Sequence, residues 1–268
     1  MTVVSALITK YGTAHASDSY ITQAKAGGGR AVIEDQRTKL VYVKHWRGAM
    51  GYWGLAQCQN WSTLDWLQGR AQTASQFSDP EQFANALAAD LNGALANLPL
   101  TPLEKGLGIH FTAYERIKDY WIPELFLISN WQGIPYTTLR PTGVGASRET
   151  FGTLNRTPPA PEHQSIECRM KVYEALLSGI MFGYNNGDPE LFNPIANAIF
   201  QDFVTLSRRG VLFEPSSKEA HCALVRRPVE VVTRLLTDFA RANTRVIGGK
   251  THDLCILSNG EHWSSTGG

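Results

Sequence analysis

A chain of 268 residues that sets 25 lysines and arginines against 24 aspartates and glutamates has a net charge of +1. That is too little to draw it to nucleic acid or acidic lipid by its field, and no nucleic-acid module is readable. The length allows one large domain or two small ones with a sizeable core, and the longest apolar stretch, "ALLSGIMFGY", is too short to span a bilayer.

Four scattered cysteines, Cys58, Cys168, Cys222 and Cys255, have neither disulfide-framework nor zinc spacing, and no secretory signal opens the chain. A cytoplasmic protein with reduced thiols is the expectation. Two alternating runs, "TVVSALI" and "GTAHASDS", meet at Tyr11-Gly12 as a hairpin. The polar, glycine-rich "QAKAGGGRAVIEDQRT" reads as an excursion, an inserted loop over residues 23–38. "KLVYVKHW" and "GAMGYWG" then give a second strand pair.

From Leu55 the apolar spacing turns helical, with Cys58, Trp61, Leu64 and Leu67 recurring every third residue. A second helix begins in "SDPEQFANALAADLNGALANL". There Ser78 and Glu81 have capping-box spacing, Pro80 suits the first turn, and Phe83, Leu87, Leu91 and Leu95 form one stripe. Strand pattern returns in "GLGIHFTAYE" and "IPELFLIS". Residues 136–164, rich in Gly, Pro, Thr and Arg, are expected to form a long loop. Three more helices are expected over residues 165–182, 194–208 and 228–243, then a strand in "THDLCILSNGEHW" and a frayed tail at 264–268. Asp188, in "NNGDPELF", reads as a helix-start signal and not as a late catalytic carboxylate.

Blocks of strands and blocks of helices predict an α+β fold, with helices covering antiparallel sheets. A single domain over 1–268 is expected, because the last strand needs the first sheet as its partner.

The residue of chemical interest is Thr2, directly behind Met1. A threonine hydroxyl is a poor nucleophile until a base lies within hydrogen-bond reach, and one economical base is the residue's own free α-amine. That amine titrates near pH 7.7–8.0 in model peptides, so it is substantially neutral at physiological pH after a small shift. The mechanism requires removal of Met1. The bland alternative is a strand's first residue. The seven histidines show no HExxH or similar ligand spacing, and Trp46, Trp53, Trp61 and Trp66 read as packing residues.

The opening "TVVSALITKYGTAHASDS" resembles that of proteasome β-type subunits and their bacterial relatives, where a terminal threonine begins a strand and the next strand runs into an acidic residue. Thr2 and Asp18 take those places. "TKLVYV" resembles the family's lysine-led strand and puts Lys39 at the catalytic lysine, with Lys44, Lys25 and Arg30 as rivals. The excursion before it is an insertion of roughly five residues, a loop change that costs little. "GAMGYWGLAQ" resembles the next strand, whose closing turn supplies a backbone oxyanion donor; Gly54 is the best match, and Gly51 the alternative if the register slips. "FTAYERIKDYWIPELFLISNWQG" is similar to the central hairpin, and "VIGGKTHDLCIL" to the Gly-Gly-led last strand.

The resemblance implies a four-layer αββα sandwich, two antiparallel sheets flanked by helices, that is Ntn-hydrolase-like. It implies no cofactor and no metal. Lys39 would lower the pKa of the hydroxyl and the amine, with Asp18 keeping the lysine charged and oriented. Two departures stand out. Where the family carries Gly-Ser-Gly, with a serine that helps hold the amine, the closest stretch here is "TGVGAS", with Val144 at the serine and Ser147 or Thr142 as substitutes only if the loop bends to suit. Where the family has an aspartate before the Gly-Gly strand, "RANTRVIGG" offers Asn243 and Thr244.

The leading reading is therefore a proteasome-like threonine protease, a homo-oligomer whose ring form comes from the resemblance alone, acting on peptide or amide bonds without nucleic-acid or membrane partners. Whether an ATP-dependent unfoldase feeds it is not legible. The second reading is a catalytically silent subunit of the same fold, and the third a small-molecule amidase.

Overall fold

The computed structural model describes residues 3–24, 30–34, 36–102, 104–132, 138–139, 143–149, 165–186, 192–239 and 247–267. Thr2, Lys25, Thr142, Asp188, Asn243 and Thr244 lie outside the described residues, as does most of the expected loop at 136–164.

In chain order the strands are β1 (Val4–Ile8), β2 (Gly12–Asp18), β3 (Ile21–Ala24), β4 (Arg30–Glu34), β5 (Leu40–Val43), β6 (Gly48–Gly54), β7 (Gln57–Cys58) and β8 (Trp61–Ser62). Helices α1 (Thr63–Thr73) and α2 (Pro80–Ala96) follow. Next come β9 (Leu107–Ile117), β10 (Tyr120–Ser129), β11 (Trp131–Gln132), β12 (Thr138–Leu139), β13 (Gly145–Glu149), α3 (Ile166–Leu177) and β14 (Phe182–Asn186). The remainder is α4 (Phe192–Arg208), α5 (Lys218–Phe239), β15 (Thr251–Leu257) and β16 (His262–Gly267).

Ten of these strands make two antiparallel five-stranded sheets, ordered β14-β1-β2-β15-β16 and β13-β10-β9-β6-β5. β1 and β2 are buried along their whole length, and the period-2 alternation sorts their side chains to two interiors. Ala14 and Ala16 face Val225, Val229 and Val232 of α5 and Phe192 and Ala196 of α4. His15, between them, points the other way and meets Thr112 of β9 at 2.9 Å. Val4, Trp53 and Leu127 pack in the same layer between the sheets. The outer face of the second sheet carries Met50, Tyr52, Phe111 and Phe126 against the Phe83, Leu87, Leu91 and Leu95 stripe of α2 and Leu64 and Leu67 of α1. The result is an α+β sandwich with α1 and α2 outside one sheet and α4 and α5 outside the other. Among the described residues, no helix is long and apolar enough to cross a membrane.

At Gly51 the first sheet comes close: a Cβ there would lie 2.8 Å from Val4 Cγ1 of that sheet, and 3.0 Å from Leu40 Cδ2 of its own. At the far edge, Arg148 of β13 is buried between Glu124 and Glu81, at 2.9 and 2.7 Å, and Arg169 of α3 reaches Glu124 and Glu115, both at 2.6 Å. These pairs tie α2, α3, β9, β10 and β13 together.

Several expectations need correction. The helical spacing from Cys58 begins instead with the small β7–β8 hairpin; Thr63 closes it by donating its hydroxyl to Leu55 O at 2.7 Å, and Ser62 caps α1 by accepting from Asp65 N at 3.2 Å. The cap of α2 is Asp79, which accepts from Gln82 N at 2.8 Å; Ser78 donates to Asp79, and Glu81 turns away to Arg148. The expected helix at 165–182 ends at Leu177, and Phe182 opens β14. Pro228 does not start a helix; it is buried inside α5, which begins ten residues earlier with Ser217 accepting from Ala220 N. Residues 264–267 are not a frayed tail but the end of β16, paired with β15. The excursion at 23–38 holds β4 and the end of β3, which pair as antiparallel strands, and the expected loop at 136–164 contains β12 and the edge strand β13.

Candidate functional site

The site forms where β2 ends, β5 begins and the chain enters β1. Asp18 is the last residue of β2, and its carboxylate collects three donors. Val3 N–H donates to Oδ1 at 3.0 Å, Lys39 Nζ to the same oxygen at 2.8 Å, and Gly248 N–H to Oδ2 at 3.3 Å. Lys39 Nζ also donates to the carbonyl of Tyr20 at 2.8 Å, so two of its three N–H donors are committed among the described residues.

Both charged side chains are 0% exposed, so no solvent shares either charge and each depends on the other. Burial pushes the Lys39 pKa down from its ordinary value, and the Asp18 carboxylate opposes that shift in part. A carboxylate filled by three donors is poorly placed to serve as a base. Its evident work is to hold a lysine and the start of β1 in one place.

Neighbouring backbone completes the frame. Thr251 of β15 lies opposite Asp18, Ser19 N–H donates to Gly248 O at 3.2 Å, and Lys250 N–H donates to Ser19 Oγ at 2.9 Å. Gly248 has φ +157, and a Cβ there would fall 2.6 Å from the Tyr20 ring. The Gly-Gly turn ahead of the last strand pair is thereby docked onto Asp18.

Asp18 and Lys39 are thus brought together, while Thr2 lies outside the described residues. Val3, which follows it in the chain, is held on Asp18. Gly54 closes β6 with φ +92. Tyr52 N–H donates to Lys39 O at 3.2 Å, so Gly54 lies two residues further along the same strand, toward the end of the sheet where Lys39 sits. Gly51 is an interior strand residue opposite Leu40, and packing between the sheets accounts for its lack of a side chain. Of the rival cations, Lys44 is exposed at the opposite end of β5, and Arg30 is in β4 of the separate hairpin.

Of "TGVGAS", the described residues 143–147 lie at the β13 edge of the second sheet, opposite the β5 edge into which Lys39 leads. Val144 N–H donates to Asn92 Oδ1 at 2.7 Å and Val144 O accepts from Asn92 Nδ2 at 2.9 Å, which fixes the stretch against α2 on the outer side of the second sheet. Ser147, in β13, is opposite Leu127. On the side of β1 away from β2 runs β14, which places Asn186 opposite Val4 and Asn185 opposite Ser5, with Ser5 Oγ donating to Asn185 Oδ1 at 2.6 Å. Asn186 meets His110 Nε2 of β9 at 2.6 Å. Nothing in the spacing of the sequence singles out Asn185, Asn186 or His110, because they converge only through strand pairing and sheet stacking. No protein-family model matches the chain, and no curated protein matches it at a significant level.

Proposed function

We propose that the chain is an N-terminal threonine hydrolase with an Ntn-hydrolase fold, resembling proteasome β-type subunits, and that it cleaves peptide amide bonds in the cytoplasm as a homo-oligomer. The observation that carries this reading is the fully buried Asp18–Lys39 pair, whose carboxylate also holds the N–H of the residue that follows Thr2.

Removal of Met1 leaves a free amine on Thr2. The amine takes the proton of Thr2 Oγ as that oxygen attacks the amide carbonyl, then returns it to the departing amine. Water hydrolyses the resulting ester and regenerates the hydroxyl. In this reading Lys39 supplies the positive charge that lowers the pKa of the Thr2 hydroxyl and amine, with Asp18 keeping the lysine charged and oriented. The backbone N–H at Gly54 receives the oxyanion, a contact of the kind whose loss costs about 3 kcal/mol in the transition state.

The test joins intact-mass analysis to labelling with a peptide vinyl sulfone, in which Thr2 Oγ bonds to the β-carbon and the proton passes to the α-carbon. The expected mass lacks Met1 and gains one probe on Thr2. Thr2→Ala abolishes labelling, and Lys39→Ala reduces it by roughly a hundredfold or more. Labelling that survives Thr2→Ala, or cellular protein that keeps Met1, overturns the reading.

The second reading, a silent subunit, is favoured by one observation: Val144 is packed against α2 and offers no hydroxyl to the site. It predicts assembly with no labelling and no turnover on any peptide or small-amide panel.

A further inference from the structure

Asn186 is the last described residue of β14, and in the strand register it is directly opposite Val4. Its side chain crosses to the second sheet, where Nδ2 is 2.6 Å from His110 Nε2. An amide nitrogen only donates, so Nε2 accepts and the imidazole is neutral with its proton on Nδ1. Burial, with His15 close by, holds His110 well below its ordinary pKa, which agrees with a neutral ring. The ring is set by Trp53 at 4.9 Å and Tyr184 at 4.8 Å, the latter edge-on.

The layer between the sheets is already joined by Val4, Trp53 and Leu127 and by the His15–Thr112 hydrogen bond. What the His110–Asn186 bond adds is local, because it fastens the end of β14 where β1 begins. The other restraint at that point is Asp18 on Val3 N–H. One restraint lies on each side of β1, since β14 and β2 are its two neighbours.

We propose that His110 is a positioning residue for the chemistry at Thr2: through the Asn186 amide it holds the end of β14 against Val4 and so braces the start of β1, the strand into which Thr2 leads. This rests on the reading of Thr2 as nucleophile. Gln at 110 keeps a hydrogen-bonding group near the place of Nε2, whereas Leu keeps only the bulk.

The experiment measures peptide vinyl sulfone labelling of the full chain, wild type, His110→Leu, His110→Gln and Asn186→Ala, as a function of probe concentration. Three quantities are read: the rate constant at saturating probe, the half-saturating concentration and the final label per chain. The expected result for His110→Leu and Asn186→Ala is a rate constant lower by roughly 10- to 100-fold, with half-saturation and stoichiometry unchanged. His110→Gln restores most of the rate. A merely structural role would lower the fraction of reactive chains and leave the rate constant of the remainder at its wild-type value. That result, or wild-type rate constants in both His110→Leu and Asn186→Ala, overturns the inference alone. Absence of Thr2 labelling in the wild type overturns the nucleophile reading and this inference with it.

Discussion

Lys39 and Asp18 illustrate how much a single pair decides. Two unit charges with no exposure are tolerated only because each fills the other's hydrogen-bonding capacity, with Tyr20 O, Val3 N–H and Gly248 N–H taking the rest. Asp18→Asn strands the ammonium, and unfolding in urea should show a loss of about 3–5 kcal/mol. In the double variant Asp18→Asn/Lys39→Met the loss should be smaller than in Asp18→Asn alone, since the stranded charge is gone. Equal losses in the two would mean that the pair is not interdependent. Asp18 and Lys39 are picked out in the sequence by the resemblance of the runs they end and begin to the proteasome β-type strands, and not by periodicity, which leaves Lys44, Lys25 and Arg30 as equals of Lys39. Asn186 and His110 are not, since 76 residues separate them and neither is in a pattern that marks it out.

At the scale of elements, the local grammar of the chain is mostly readable where the physics is local. The α2 stripe packs as its spacing requires, yet the cap residue is Asp79 and not Ser78. A hydroxyl and a carboxylate compete for the same orphan N–H groups, and Asp79 takes Gln82 N while Ser78 serves the carboxylate. Asp79→Ala should therefore lower the urea midpoint by an amount equivalent to about 1 kcal/mol, and Ser78→Ala by less than about 0.5 kcal/mol; the reverse ranking would restore Ser78 as the cap. Pro228 misleads for a related reason. Proline is a good first-turn residue, so it reads as a start, but burial of the α5 face that carries Cys222, Val225, Val229 and Val232 outweighs the roughly 3 kcal/mol an interior proline costs a helix.

For the molecule as a whole, three histidines that are buried among the described residues link stability to pH. Burial pushes His15 down to about 3 and His221 to about 4, and holds His110 well below its ordinary value. Each is neutral when folded, whereas in the unfolded chain each takes a proton near pH 6.5. Below that pH the unfolded state binds more protons, so stability is full above about pH 6.5. It should fall as pH drops toward 4, by up to about 1.4 kcal/mol per pH unit for each histidine. Urea titrations at pH 7, 6, 5 and 4 test this, and His15→Gln should shallow the decline by one histidine's share; an unchanged slope would show that His15 is already charged in the fold. From its sequence alone the chain determines the hairpin at Tyr11-Gly12, the α2 stripe and the α+β class, because each depends on neighbours in the chain or on a short period. Tertiary structure alone decides that β14 flanks β1, that 262–267 is a strand, and that His110 reaches Asn186. Strand pairing and sheet stacking are long-range choices, settled by which apolar faces can be buried together, and they leave no local trace in the order of residues.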